Sequence, residues 1–189
     1  MTQKKSTTRP LPMIRGKAVE EAIRLACAMG IKDFSVTRAQ DIASNRYYAE
    51  TETYPKQAVK SYARPINALV REGIRAFHFL KVGKLIDGKH YKKSVQNREI
   101  SVFPDFVFDK LSLDGKEYKN CCVELKVTSK FSKSMQKKYA DQCANYAPDE
   151  TVRILLYLIH NKRVTRRTGS FAVQIRYFLV SSRKKLKKN

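Results

Sequence analysis

The chain has 189 residues, enough for one packed domain or for a core with one sizeable insertion. Hydrophobic residues make up 42% of the chain and charged residues 30%, which argues against a disordered or collagen-like chain. The 39 lysine and arginine residues outnumber 17 aspartate and glutamate residues, so the formal net charge is +22. Because such an excess repels itself in a compact chain, we expect a polyanionic partner, nucleic acid first and an anionic membrane surface second.

The sequence argues against a membrane location. The most apolar stretch, residues 154–159, is too short to span a bilayer and has the length of a buried strand. Pro10, Pro12 and Arg15 interrupt the region where a secretion signal would need an apolar segment. The four cysteines have no C-x-x-C spacing, which favours reduced thiols over a metal cluster. We therefore expect a cytoplasmic protein, of a host cell or a virus-infected cell, that does not bind membranes.

The N-terminal part is predicted to be a flexible arm followed by short helices. Residues 1–15 are polar and basic and contain prolines, which predicts a flexible basic arm. A helix is predicted from residue 16 to about residue 30, and alternating apolar residues predict a short strand at 31–36. A second helix is predicted over 37–45, with Thr37 as its N-cap.

A third helix is predicted over 56–72, and Pro65 must kink it or split it. Alternation over 76–82 predicts a strand, and Asp87–Gly88 is typical of a hairpin turn. Short helices followed by a hairpin are also the order of a winged helix. The region 16–95 is therefore interpreted either as the first core helix plus an insertion or as a winged-helix-like part.

Residues 96–181 show a clearer pattern, in which strands are interrupted by one lysine-rich helix over about 134–146. The predicted strands are 100–103, 106–108, 121–127, 152–159 and 171–180. The predicted fold class is therefore α/β, with a mixed central sheet flanked by helices. A charge run at 182–189 predicts a basic tail.

Two acids and a lysine occupy positions that adjacent strands could bring together. Asp105 begins one predicted strand, and Glu124 and Lys126 share a face of the next. If the two strands pair through the turn at Asp114–Gly115, the carboxylates converge and could bind a hard divalent cation. Mg²⁺ is the natural choice, and we expect Mn²⁺ to substitute for it. Lys126 could orient or deprotonate a water, or neutralise charge developing on a phosphate.

Pro104–Asp105 followed by Glu-x-Lys at 124–126 resembles the motif of the PD-(D/E)XK nucleases, the restriction-endonuclease-like superfamily, over about residues 100–160. The order of strand, strand, helix and strand is also the core order of that family. The resemblance implies a restriction-endonuclease-like core that hydrolyses phosphodiester bonds with Mg²⁺. It also implies that Asp105, Glu124 and the Leu125 carbonyl bind the metal while Lys126 assists the attacking water.

A second match lies downstream, on the predicted helix. Gln142 and Tyr146 stand one helical turn apart, as in the Gln-x-x-x-Tyr element of the RecB-like exonuclease branch, which this stretch resembles. The resemblance implies that the pair orients the lysine and contacts the substrate strand. The alternative is that the helix tyrosines simply pack.

A third match lies upstream, where Gly16-x-x-x-Glu20 resembles the first motif of the family and the opening of archaeal Holliday-junction resolvases. The resemblance implies that a helical glutamate completes the metal shell. Glu21 and Glu72 are alternative acids for this role. The competing interpretation is that Glu20 only favours the helix N-terminus through the helix dipole.

The basic residues near the predicted site are candidates for contacts to DNA phosphates, which would be non-specific and sensitive to salt. These candidates are Lys130, Lys133, Lys137, Lys138, Arg163, Arg166 and Arg167. The three histidines have no ligand-like spacing and are expected to be structural.

The sequence thus predicts a Mg²⁺-dependent DNA nuclease of recombination or repair. It would act either as an exonuclease or as an endonuclease that resolves Holliday junctions, and a homodimer would suit junction cutting. The alternative is a non-catalytic winged-helix DNA-binding protein.

Overall fold

A computed structural model of the chain describes residues 9–86, 91–95, 98–144, 151–164 and 171–180, with the backbone alone at 91–95, 98–102 and 161–164. The helices within these residues are α1 (Leu11–Ala28), α2 (Val36–Glu50), α3 (Lys56–Ala63), α4 (Ile66–Phe79) and α5 (Lys133–Ala144). The strands are β1 (Tyr91–Val95), β2 (Arg98–Val102), β3 (Phe106–Leu113), β4 (Lys116–Thr128), β5 (Val152–Val164) and β6 (Phe171–Val180).

The main sheet has four strands in the order β3-β4-β5-β6. The β3–β4 and β5–β6 pairs are antiparallel, whereas β4 and β5 are parallel. A parallel pair needs a crossover connection, and α5 lies within the segment that joins these two strands. β1 and β2 form a separate antiparallel pair. The chain is therefore an α/β protein with a mixed sheet flanked by helices, as its sequence predicts.

Each face of the sheet packs against different helices, because alternate residues of a strand point to opposite sides. On β5, Leu156 belongs to the main core, which also contains residues of α1, α2 and α4. Its neighbour Tyr157 belongs to a smaller core on the other face, with Phe131 and with Tyr139 of α5. The N-terminal helices and the sheet therefore share one continuous core.

The segment that follows α4 runs along the outer edge of β3. The Gly83 N–H donates to the Lys110 carbonyl at 2.9 Å, and the Ile86 N–H donates to the Val107 carbonyl at 2.8 Å. Leu85, between these two donors, forms an isolated antiparallel bridge to β3. The backbone of β3 is therefore hydrogen-bonded on both sides.

The strand predicted at 31–36 is wrong, because these residues form a turn and the start of α2. Gly30 has a φ of 92°, a left-handed conformation that ends α1 without the strain other residues would suffer. The predicted N-cap Thr37 is also wrong. Ser35 caps α2, and its hydroxyl oxygen accepts a hydrogen bond from the Arg38 N–H at 3.3 Å.

The strand predicted at 76–82 is wrong as well, since α4 runs through the first half of this range. The local alternation of apolar residues concealed a helical spacing in which Val70, Ile74 and Phe77 are all buried on one side of α4. Pro65 separates α3 from α4, as the sequence predicts.

The predicted arm is shorter than expected, because α1 begins at residue 11 rather than residue 16. Pro10 is the N-cap residue and Pro12 lies in the first turn. Proline is tolerated there because the first N–H groups of a helix have no partner within it. Residues 1–8 and the predicted turn at Asp87–Gly88 lie outside the described residues.

All four cysteines are buried free thiols. Cys121 faces the main core, whereas the adjacent Cys122 faces the opposite side and contacts Cys143 of α5. This placement agrees with the sequence, which sets the two neighbouring thiols on opposite faces of a strand. In the described part of the chain, no helix combines the length and the apolar character that a membrane crossing requires.

Candidate active site

The β3–β4 hairpin brings Asp105 and Glu124 together. Its register sets Phe106 opposite Val123, so Asp105 and Glu124 form the next pair along. The Asp105 N–H donates to Glu124 Oε1 at 3.3 Å, and the Leu125 N–H donates to Asp105 Oδ2 at 2.8 Å. These two hydrogen bonds fix both carboxylates at the open end of the hairpin.

Lys126 places its ammonium group beside both carboxylates. Its Nζ lies 3.2 Å from Glu124 Oε2 and 3.5 Å from Asp105 Oδ2. The Glu124 side chain is 3% exposed, and those of Asp105 and Lys126 are 20% and 26% exposed. The structure therefore brings together the three side chains that the sequence singled out, and we call them the carboxylate–lysine site.

Two acids at this site hold their protons more tightly than ordinary glutamates. Burial raises the pKa of Glu124 to about 8, and the Asp105 carboxylate adds to this effect despite the nearby Lys126 ammonium. Burial also raises the pKa of Glu20 to about 7, again with a contribution from Asp105. The cause is an excess of negative charge in a poorly solvated place, which a further cation would relieve.

Of the three glutamates considered for the first motif, Glu20 is the one whose pKa responds to the Asp105 carboxylate. Glu21 instead pairs with Arg46 of α2 at 3.2 Å. Glu72 pairs with two arginines of its own helix, at 3.0 and 3.2 Å. Glu20 is thus the acid of α1 that interacts with Asp105, although it also pairs with Arg24 of its own helix at 3.8 Å.

The side chain of Lys126 stays protonated and positively charged. Burial lowers the pKa of Lys126, but the carboxylates of Asp105 and Glu124 outweigh this effect, so its pKa lies above the ordinary value. An ammonium group can donate hydrogen bonds and offset negative charge, whereas it cannot accept a proton. In this arrangement Lys126 therefore acts as a donor rather than as a base.

An aromatic cluster packs beside the lysine. The ring centroid of Tyr139, on α5, lies 5.4 Å from Lys126 Nζ, within the range of a cation–π interaction. Tyr157 is the β5 partner of Lys126 in the sheet, and its ring centroid lies 6.4 Å from that of Tyr139. Burial and the neighbouring Tyr139 raise the pKa of Tyr157 to about 12, so its hydroxyl stays protonated. These rings limit the positions available to the ammonium group.

The downstream motif is only partly described. Gln142 lies on α5, half-buried and one turn beyond Tyr139. Tyr146 lies outside the described residues, so its predicted position next to the site has no structural account. Tyr139 is the residue that α5 places at Lys126. It stands three residues before Gln142 and was not among the predicted site residues.

The donor atoms have the chemistry of a divalent-cation site. Within the described ranges, no three His, Cys, Asp or Glu side chains form a group that could hold a metal ion. The predicted donors are the carboxylates of Asp105 and Glu124, the Leu125 carbonyl and Glu20, and among the described residues Glu20 does not form such a group with the two carboxylates. Continuing the hairpin register sets Pro104 opposite Leu125, and a proline has no N–H to donate to that carbonyl. Oxygen donors and unrelieved negative charge together fit Mg²⁺.

The candidate DNA-contacting residues are divided between the described and undescribed parts of the chain. Lys133, Lys137 and Lys138 are exposed on α5, and Lys130 is exposed just before it. The backbone of Arg163 belongs to β5, but its side chain lies outside the described residues. Arg166 and Arg167 lie wholly outside them. The described lysines form a basic surface around the N-terminal half of α5.

Two buried side chains near the site had no functional prediction. Arg15 of α1 and His160 of β5 line a cavity at the end of β4. From the sequence, His160 was expected to be structural, and Arg15 had no predicted role in binding or catalysis. Comparison of the chain with protein-family models, curated proteins and solved structures finds no match.

Proposed function

We propose that this chain is a Mg²⁺-dependent DNA nuclease with a restriction-endonuclease-like core, whose active site is the carboxylate–lysine site. The observation that carries the proposal is the convergence of Asp105, Glu124 and Lys126 in one half-buried place. Two acids face one lysine here, and a third acid, Glu20, pairs with Arg24 at 3.8 Å, so three carboxyl groups share two cations. Strongly shifted pKa values at such a cluster are typical of functional sites.

The resemblance to PD-(D/E)XK nucleases supports the reaction class. Strands β3 and β4, helix α5 and strand β5 follow one another in the order expected for that family. Bound to these oxygens, Mg²⁺ would polarise the phosphate and activate a water molecule.

The chain's own residues would supply positioning and charge. Asp105 is oriented by the Leu125 N–H, and Glu124 is oriented by the Asp105 N–H, so both carboxylates are fixed before any ligand binds. Lys126 donates hydrogen bonds and offsets the negative charge that develops on a phosphate under attack. Tyr139 keeps the ammonium group facing the carboxylates.

The net charge of +22 supports DNA as the substrate, because it attracts phosphate over the whole surface. Exonuclease action and junction cutting both remain compatible with the site. A homodimer with two twofold-related sites would suit the second of these activities.

The proposal is tested with purified protein on linear duplex, single-stranded and four-way-junction DNA, with and without Mg²⁺ or Mn²⁺. We expect cleavage that requires the divalent ion. Asp105→Asn and Glu124→Gln should each lower the cleavage rate by about a hundredfold or more, because each removes a metal ligand while keeping the shape of the side chain. DNA binding in the absence of divalent ions should be retained.

Glu117→Gln is the matched control, since Glu117 lies on the same strand as Glu124 but is exposed and pairs with Lys110 at 3.4 Å. This variant should cut like the wild type. If Asp105→Asn and Glu124→Gln also cut like the wild type, the assignment of the active site is wrong. A wild-type protein that binds DNA but never cuts it with either ion would favour the non-catalytic DNA-binding alternative.

A further inference from the structure

A cavity of about 570 Å³ opens at the end of β4. Its walls come from α1, from the junction of α3 and α4, from the residues after Val127 and from β5. We call it the Arg15 pocket. The polar groups that matter for its chemistry are those of Arg15, Arg64, Lys130 and His160.

Two of these side chains are deeply buried and incompletely hydrogen-bonded. Arg15 is 4% exposed and His160 is 6% exposed. The Nε of Arg15 and both ring nitrogens of His160 find no hydrogen-bond partner among the described residues. Leaving a buried polar atom unsatisfied destabilises the fold, so such atoms are rare in folded proteins unless a ligand or water pairs with them.

The charge of the pocket indicates an anionic ligand. Arg15, Arg64 and Lys130 are cations, and no aspartate or glutamate is among the described lining residues. Burial, together with the Arg15 cation, lowers the pKa of His160 to about 4. A neutral imidazole still has one N–H to donate. A guanidinium group, an ammonium group and an imidazole N–H all suit the oxygens of a phosphate.

The pocket shares α1 and β4 with the carboxylate–lysine site but lies on the other face of the sheet, because Val127 and His160 face α1 whereas Lys126 faces α5. Arg15 and Glu20 lie on α1, about 7–8 Å apart along the helix axis. Lys126 and Thr128 lie on β4, about 7 Å apart along the strand.

We propose that the Arg15 pocket binds a phosphate group of the DNA strand. This inference rests on the proposed nuclease function for the identity of its ligand, but the pocket itself can be tested without cleavage. The phosphate belongs either to a strand end or to the interior of the strand, and the substrates in the test separate these two sources.

The first test follows the imidazole NMR signals of the full chain at neutral pH during titration with inorganic phosphate. The chain has three histidines, so a His160→Gln variant assigns the relevant signals. We expect the His160 signals to shift and saturate, while those of the exposed His78 stay in place. The control is potassium chloride at the same ionic strength. If the His160 signals respond to phosphate no more than to potassium chloride at the same ionic strength, the proposal is wrong.

The second test measures binding of short DNA strands in the absence of divalent ions, so that it does not depend on nuclease activity. We expect Arg64→Ala to weaken binding by about tenfold, because a charge-assisted hydrogen bond is lost. Lys119→Ala is the matched control, since it removes one positive charge at the opposite, exposed end of β4. Arg15→Lys keeps the buried charge but removes the guanidinium fork, and it should also weaken binding more than the control.

The strands carry a 5′-phosphate, a 3′-phosphate or hydroxyl groups at both ends. A strand-end phosphate is indicated if the Arg64→Ala loss occurs only with one phosphorylated end. An interior phosphate is indicated if the loss is the same for all three strands. If Arg64→Ala and Arg15→Lys weaken binding no more than Lys119→Ala, the pocket does not bind DNA and the proposal is wrong, whether or not the protein cuts DNA.

Discussion

The charge state of Glu124 links the chemistry of the site to the stability of the protein. Its pKa is raised from 4.5 to about 8, so the folded protein holds a proton on this group over a pH range in which the unfolded chain does not. The free energy of unfolding therefore falls as pH rises through this range. A cation bound at the site would oppose this loss by stabilising the ionised carboxylate.

This linkage predicts a pH-dependent difference between the wild type and Glu124→Gln. Between about pH 5 and about pH 8, with a chelator present, the Tm of the wild type should fall more than that of the variant, which has no proton to lose at this position. Differential scanning calorimetry over a pH series measures this difference. Glu117→Gln, which changes an exposed acid of the same strand, should follow the wild type. Parallel pH curves for wild type and Glu124→Gln would contradict the shifted pKa.

At the scale of residues, the sequence predicts those side-chain positions that the regular geometry of a strand determines. Alternation along a strand sets Glu124 and Lys126 on one face, and the turn at 114–115 sets Asp105 opposite them. The position of Tyr139 beside Lys126 depends on how α5 packs, and the meeting of Arg15 and His160 in one cavity depends on how α1 packs on β5. Those contacts join distant parts of the chain, and no local periodicity encodes them.

At the scale of elements, the turn between α1 and α2 shows how capping decides where a helix begins. Both Ser35 and Thr37 are residue types that favour N-cap positions, and sequence alone does not separate them. The structure selects Ser35, whose hydroxyl oxygen accepts the Arg38 N–H. This shift of two residues extends α2 into the range predicted as a strand.

The two candidate caps predict different effects of mutation. Ser35→Ala should lower the free energy of unfolding by about 1 kcal/mol, because one N–H at the start of α2 loses its partner. For a chain of this size the Tm should fall by about 2–4 °C. Thr37→Ala is the control and should leave Tm nearly unchanged. Thermal unfolding followed by circular dichroism distinguishes the two, and a larger loss for Thr37→Ala would refute the assignment of Ser35.

At the scale of the whole molecule, the excess of positive charge acts on folding and on binding in opposite directions. Self-repulsion in a chain of net charge +22 destabilises the compact state, and salt screens this repulsion. The proposed DNA binding by the same charges would depend on the release of counterions, which salt opposes.

Added potassium chloride should therefore raise the Tm while it weakens DNA binding. The slope of log affinity against log salt should be about −0.9 for each phosphate contacted in duplex DNA. Changing Lys137 and Lys138 to glutamate should make both responses to salt shallower. Thermal unfolding and fluorescence anisotropy over one salt series test both effects. A DNA affinity that does not change with salt would contradict both the nuclease proposal and its DNA-binding alternative.

The α/β class and the last four strands of the fold follow from the sequence, because their apolar stretches are long and are separated by clear turns. The N-terminal half is harder to predict. Alternating apolar residues at 31–36 and 76–82 satisfy a strand pattern locally while the surrounding chain is helical. Packing against the sheet decides the outcome there, because it buries one side of each helix.

The hydrogen bonds from residues 83–86 to β3 restrict how two copies of this protein could associate. With that border of the sheet already paired, a continuous sheet across a dimer would have to be built on β6, the other end of the described strand order. Two identical strands joined about a twofold axis run antiparallel. Such a dimer would leave both Asp105 ends of the hairpins facing outward and free to meet separate strands of a branched DNA.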